Sequence, residues 1–241
     1  MKTATEWSAE FDIMWNNIMS NQAPGLSEYE KSVFLTNAQE QLVLDYLSPK
    51  TNIKGEGFDD SLLRQSDFDS LIVIDNMASS SPAKKLDSRS TTRYFKYPSS
   101  DILVVLNESC REVIGTSPSQ VTKEYVVVPI SYAEYMRMMQ KPFKYPVKGT
   151  AWRLNGAETT ADNVKSATVE LIARFTGTVT YVLRYVKRPS PIVLASIPVA
   201  IEGVTTAQTC TLPEHLHQEI LRRAVNLAKI AWSEPAVEQQ R

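Results

Sequence analysis

The chain has 241 residues, with 26 basic and 27 acidic side chains, a formal net charge of −1 and 43% hydrophobic residues. This is the composition of an ordinary globular protein, one domain or one domain with a large insertion, and it lacks the cationic surplus with which a protein grips a phosphate backbone. Two cysteines, Cys110 and Cys210, make neither a disulfide framework nor a zinc site, no run approaches the ~18 apolar residues of a membrane span, and no charged-then-apolar export leader is expected.

Trp7, Phe11, Met14, Trp15, Ile18 and Met19 draw one stripe on a helix across residues 5–19. Two tryptophans on a short terminal helix need a cover, either the protein's own core or a neighbouring subunit. Ala23-Pro24-Gly25 breaks this helix. Ser27 and Glu30 then have the spacing of a capping box, which starts a second helix expected to reach Leu47, and Pro49 prevents its continuation. A polar turn at 51–57 leads to Asp59 or Asp60, a cap for a third helix through Leu62, Leu63 and Phe68. The apolar run 71–74 fits a strand or a helix end equally.

Beyond the Ser79-Ser80-Ser81-Pro82 loop the period changes to two. Residues 93–97 alternate basic and aromatic side chains, and 102–106 and 125–128 read as strand cores. Segments 169–175 and 178–186 flank Gly177 as the arms of an expected hairpin, and a short strand is expected at 192–195. Tyr132, Tyr135, Met136 and Met139 fit a short helix over 131–140, ended by Pro142. Pro213 and Glu214 suit the first turn of a last amphipathic helix that carries Leu216, Ile220, Leu221, Val225, Leu227, Ala228 and Trp232 and stops before Pro235.

The expected fold class is α+β: N- and C-terminal amphipathic helices forming a helical bundle, with an inserted antiparallel β-sandwich-like domain. Residues 1–75 form the N-terminal helical part, 76–209 the β-rich middle, 210–234 a C-terminal helix packing with the N-terminal ones, and 235–241 a flexible tail.

The chain offers little catalytic chemistry. His215 and His217 lie two apart on a helix and point to different faces, a poor metal pair. There is no Gly-rich phosphate loop and no Ser-centred nucleophile elbow. Asp59-Asp60, Asp67 and Asp69 read more simply as caps and solvated turns than as acid–base pairs. Arg93-Tyr94-Phe95-Lys96-Tyr97 and Tyr185-Val186-Lys187-Arg188-Pro189 mix basic and aromatic residues, which suits base stacking, a charge-guarded strand edge or an inter-subunit salt bridge.

Four segments carry a family resemblance: EFDIMWNNIMSNQAPGLSEYEKSVFLTNAQEQLVLDYL (10–47), VVPISYAEYMRMMQKPFKYPVKGTAWRL (127–154), YVLRYVKRPSPIVL (181–194) and CTLPEHLHQEILRRAVNLAKIAW (210–232). They resemble a structural protein of crAss-like bacteriophages. The resemblance implies a virion protein, made in the host bacterial cytoplasm, that forms a dodecameric ring in the neck between portal and tail. The order of elements also resembles the adaptor proteins of short-tailed phages, whose helices dock to the portal. The implied partners are further copies in a homo-oligomer, the portal protein, an adjacent neck or tail ring protein, and genomic DNA that passes through the lumen without sequence-specific binding. No membrane and no cofactor are implied. The candidate subunit or portal interface comprises Trp7, Phe11, Trp15, Arg184, Lys187, Arg188, Arg222, Arg223 and Trp232, with aromatic rings for apolar contact and paired cations to fix register. Rival readings are a tail or fibre-anchoring protein, a head decoration protein, and a virion-borne hydrolase using Asp59 or Cys210.

Overall fold

The computed structural model of the chain describes residues 2–16, 25–48, 62–82, 85–141, 143, 145–161 and 164–233, with backbone alone at 63–64, 157–161, 164–165 and 233. The expected continuation of the first helix to residue 19, the polar turn and cap at Asp59 or Asp60, the helix-ending Pro49, Pro142 and Pro235, and the tail 235–241 lie outside the described residues. The chain divides into two compact units, Met1–Leu71 with Arg188–Arg241, and Ile72–Lys187.

In the first unit, Ser27 sets the start of the longest helix. Its hydroxyl accepts the Glu30 amide while the Glu30 carboxylate accepts the Ser27 amide at 2.8 Å, so two first-turn donors are satisfied by one pair of side chains. The described helices of this unit are α1 (Ala4–Asn16), α2 (Glu28–Leu47), α3 (Leu62–Asp67) and α5 (His217–Ser233). Helices α1 and α2 both pack on α5. Trp7, Phe11 and Trp15 of α1, Leu35, Leu42 and Val43 of α2, and Ile220, Leu221 and Val225 of α5 are buried. Fully burying each aliphatic chain contributes roughly 1.5–3 kcal/mol.

Helix α2 also carries a buried polar stripe, Ser32, Thr36 and Gln39. These residues are spaced to share one helix face. Gln39 Nε2 donates to the Ser190 carbonyl (2.9 Å), Thr36 Oγ accepts from Ile192 N–H (3.1 Å), and Ser32 Oγ accepts from Leu194 N–H (3.0 Å). This corrects the strand expected at 192–195. The segment makes only an isolated bridge, Val193 with Gln208, because helix side chains take the backbone groups that a sheet would have used.

The second unit is a closed barrel of β1 (Ile72–Ser79), β2 (Arg93–Tyr97), β3 (Ile102–Ile114), β4 (Val121–Pro129), β5 (Thr150–Ala161), β6 (Val164–Ile172) and β7 (Thr178–Lys187), with helix α4 (Tyr132–Met139) between β4 and β5. The order around the barrel is β1-β2-β6-β5-β4-β3-β7. This overturns the expected fold of a helical bundle with an inserted antiparallel sandwich. The sheet closes on itself, helices are few, and β4 pairs with β5 in parallel. A sandwich and a small barrel share the same inward–outward alternation, so the pattern of each strand is compatible with both.

Alternate residues fill the barrel: Met77, Phe95, Cys110, Val169, Leu171, Tyr181, Leu183 and Tyr185 form one buried cluster. On the other face of β5 and β6, Trp152, Leu154 and Ile172 are covered by Tyr135 of α4, whose start is capped by Ser131 Oγ on the Glu134 amide. The hairpin expected across Gly177 does not form. Strand β6 pairs with β2 and β5, whereas β7 pairs with β1 and β3. Gly177 is there for close approach. A Cβ on it would lie 2.1 Å from the Val113 carbonyl oxygen, so the chain between β6 and β7 passes hard against β3.

Candidate assembly surfaces

Trp7, Phe11 and Trp15 are 0%, 0% and 2% exposed. The Trp7 ring lies 5.0 Å from the buried His217 imidazole. The two expected cation pairs are each divided. Arg188 faces Glu40 and Glu202, both at 3.7 Å, and Arg223 is held by Asp45 and by Glu219. Lys187 and Arg222 are exposed, and Arg184 is half-buried on β7. Trp232, near the end of α5, is 47% exposed. Of the sequence candidates, then, α5 offers Arg222 and Trp232 to solvent, while the three α1 aromatics lie in the core of their own unit.

The barrel supplies features that sequence reasoning missed. Inside it, Glu108 Oε2 accepts the Tyr181 hydroxyl at 2.9 Å and faces Arg153 Nε at 3.3 Å. Near the Gly177 turn, Glu112 is fully buried and accepts the Tyr125 hydroxyl and the Thr176 and Gly177 amides. Their signal in the sequence is an acid at the inward parity of a strand.

Among the described residues the ladder is incomplete at two places. Residues 121–126 of β4 pair with β3, but only 126–129 pair with β5. Val126 N–H donates to the Gly149 carbonyl on the β5 side, so by alternation the Thr122 and Glu124 backbone groups face that side too, where no described strand pairs. Likewise, residues 72–77 of β1 pair with β7, and only Ala78 and Ser79 meet β2. Beside the open part of β4 lies a cleft of about 650 Å³, lined by Tyr125, Tyr145, Val147, Lys123, Lys148 and Arg174 among others. Phe143, on its rim, is 98% exposed.

Both thiols are buried, and burial pushes Cys110 up to about 12 and Cys210 up to about 11, far from the thiolate form a nucleophile needs. His215 meets Asp67 at 3.1 Å, and His217 Nε2 meets the Leu212 carbonyl at 3.0 Å. Among the described residues no group of three His, Cys, Asp or Glu side chains is placed to hold a metal ion, and no helix is long and apolar enough to cross a membrane.

A family model described as phage tail ring protein 3/4 matches residues 1–240. The chain belongs to that family. It is 43% identical over 235 residues to ring protein 4/5 of Bacteroides phage crAss001, covering 94% of this chain and 92% of that one. It is 32% identical over 240 residues to ring protein 3 of the same phage, covering 95% and 96%. This ring protein is therefore a structural component of a phage virion, one that assembles with copies or neighbours among ring and tail proteins.

Proposed function

We propose that the chain forms one ring of the neck, a dodecamer between portal and tail through whose lumen the genome passes, and that its work is contact rather than catalysis. The observation that carries this reading is near-full-length likeness to two differently named ring proteins of one phage, which favours a stack of related rings. A dodecamer closes with a rotation of about 30° per subunit, and each durable contact buries on the order of 2,000 Å². In this reading the two units act as separate domains. The helical unit supplies the contact to the portal or the preceding ring through Arg222 and Trp232 of α5, while Trp7, Phe11 and Trp15 hold α1 against α5 from within. A net charge of −1 leaves DNA free to slide, since phosphate contacts are strong and additive.

Electron cryo-microscopy of the particle, with the chain identified by a tag, tests this. Twelvefold density beneath the portal vertex is the expected result. Density elsewhere, such as on a fibre base or the head surface, overturns the neck placement.

A further inference from the structure

We infer that the cleft beside β4 is a docking site for an extended acidic peptide segment of another protein. The segment adds to the open part of β4 as a strand and sets its carboxylates among the cations of the cleft. The inference goes beyond the ring reading and does not depend on where the ring sits.

The charge of the cleft calls for an anion. The charged side chains that line it are Lys123, Lys148, Arg174 and Glu124. Glu124 is already engaged by Arg111 at 3.0 Å. Among the described residues no acid forms an ion pair with Lys123, Lys148 or Arg174. Glu112 is the cross-strand neighbour of Lys123, but it is fully buried and committed to the Tyr125 hydroxyl and the Thr176 and Gly177 amides. In the cleft wall, the Tyr145 ring has two guanidinium groups over it, Arg89 at 5.4 Å and Arg174 at 5.5 Å from its centroid. The ring is itself fixed: its hydroxyl donates to the Ala173 carbonyl (3.0 Å) and meets the Thr91 hydroxyl (3.1 Å). Asp87, 3.8 Å from Arg89, is buried and accepts the Thr92 hydroxyl. A chain of net charge −1 thus concentrates positive charge in one concave place, where a single sign of charge focuses the field on an incoming anion.

The backbone selects the kind of anion. The Thr122 and Glu124 backbone groups face the β5 side by alternation from Val126. Among the described residues they have no backbone partner there. Each presents a carbonyl beside its amide, and a carbonyl accepts a peptide N–H but repels a phosphate oxygen. A row of donors and acceptors is a template for a strand. Strand addition takes affinity from the main chain and specificity from the side chains around it. Phe143, 98% exposed, and Val147, 76% exposed, offer apolar contact to the alternate residues of such a strand. The partner is therefore an extended segment that alternates acidic with apolar residues.

The test titrates the full-length chain with a fluorescein-labelled peptide alternating glutamate with valine, read by anisotropy and by amide hydrogen exchange. Saturable binding is expected, with slowed exchange at the Thr122 and Glu124 amides. Lys123→Gln with Lys148→Gln should weaken it roughly tenfold in a chain whose melting matches the parent. Glutamine at 123 avoids setting a second acid opposite Glu112. No saturable binding at about millimolar peptide, equal binding of a peptide alternating lysine with valine, or binding that the two substitutions leave unchanged overturns the inference. Binding without protection of the β4 amides overturns the strand addition. Double-stranded DNA that displaces the peptide and binds more tightly overturns the peptide in favour of a phosphate backbone.

Discussion

The Glu112 carboxylate of β3 accepts the Gly177 amide at 2.7 Å, a bond between residues with β4, α4, β5 and β6 between them in the sequence. The same oxygen accepts the Thr176 amide, and the other accepts the Tyr125 hydroxyl. A hydrogen bond to a charged group is worth about 1.5–3 kcal/mol. Glu112→Gln keeps the shape and removes the charge. It is expected to destabilise the barrel by about that amount, read as a shift in the urea midpoint with an unchanged slope.

Acid should act on the two units at different pH. Burial lowers the His217 pKa below its ordinary 6.5, outweighing the Leu212 carbonyl that raises it. A depressed histidine contributes stability that is complete above 6.5 and is lost as pH falls through the folded value. Burial alone would raise Glu112, yet the Tyr125 hydroxyl and the two amides prevail and hold it below 4.5. Its contribution is complete above 4.5 and lost below. Hydrogen exchange against pH should therefore show the helical unit loosening first, below pH 6.5, and the barrel below pH 4.5. His217→Gln should flatten the first step only.

Arg153 and Glu108 are 16% and 13% exposed, so removing one leaves the other charged in a nearly dry interior. Arg153→Ala is expected to cost about 3–5 kcal/mol. Arg153→Met combined with Glu108→Leu and Tyr181→Phe should recover most of that loss in thermal melts, because the apolar set needs no compensating charge and leaves no Tyr181 hydroxyl without its Glu108 acceptor.

Trp7→Ala or Trp15→Ala should cost about 3–5 kcal/mol of local stability, the range for large aromatic truncations. The loss should appear as faster amide exchange in α1 and α5, with the exchange of β3 and β7 unchanged. Incorporation into particles should fall in parallel. Equal loosening of the barrel would contradict separate domains.

Cys110 and Cys210 should resist a soluble disulfide reagent in the native chain and react in denaturant. Burial holds both as protonated thiols, and the thiolate is the reactive form.

Some of this molecule is written in short-range pattern. The box of Ser27 and Glu30, the short helix of Tyr132, Tyr135 and Met139 and the inward run Tyr181, Leu183 and Tyr185 are legible because each involves residues about one helical turn apart, or two apart along a strand. The surface candidates are legible as charges, but Arg188 and Arg223 meet Glu40, Glu202 and Asp45, acids far away along the chain. The one local sign of how the Arg222-Arg223 pair is divided is Glu219, one turn before Arg223 on α5.

The sequence by itself determined the start of α2, the parity of the strands and, through residue identities along nearly the whole chain, membership of a phage ring family. Only the tertiary structure decided which strands are neighbours, and hence that the sheet closes into a barrel. It also decided that 190–194 zips onto Ser32, Thr36 and Gln39, and that Gly177 serves a close approach to Val113 rather than a hairpin. The reason is physical. Alternation says which face of a strand is buried, but every backbone amide and carbonyl is the same group. The partner that each finds across the fold is set by global packing.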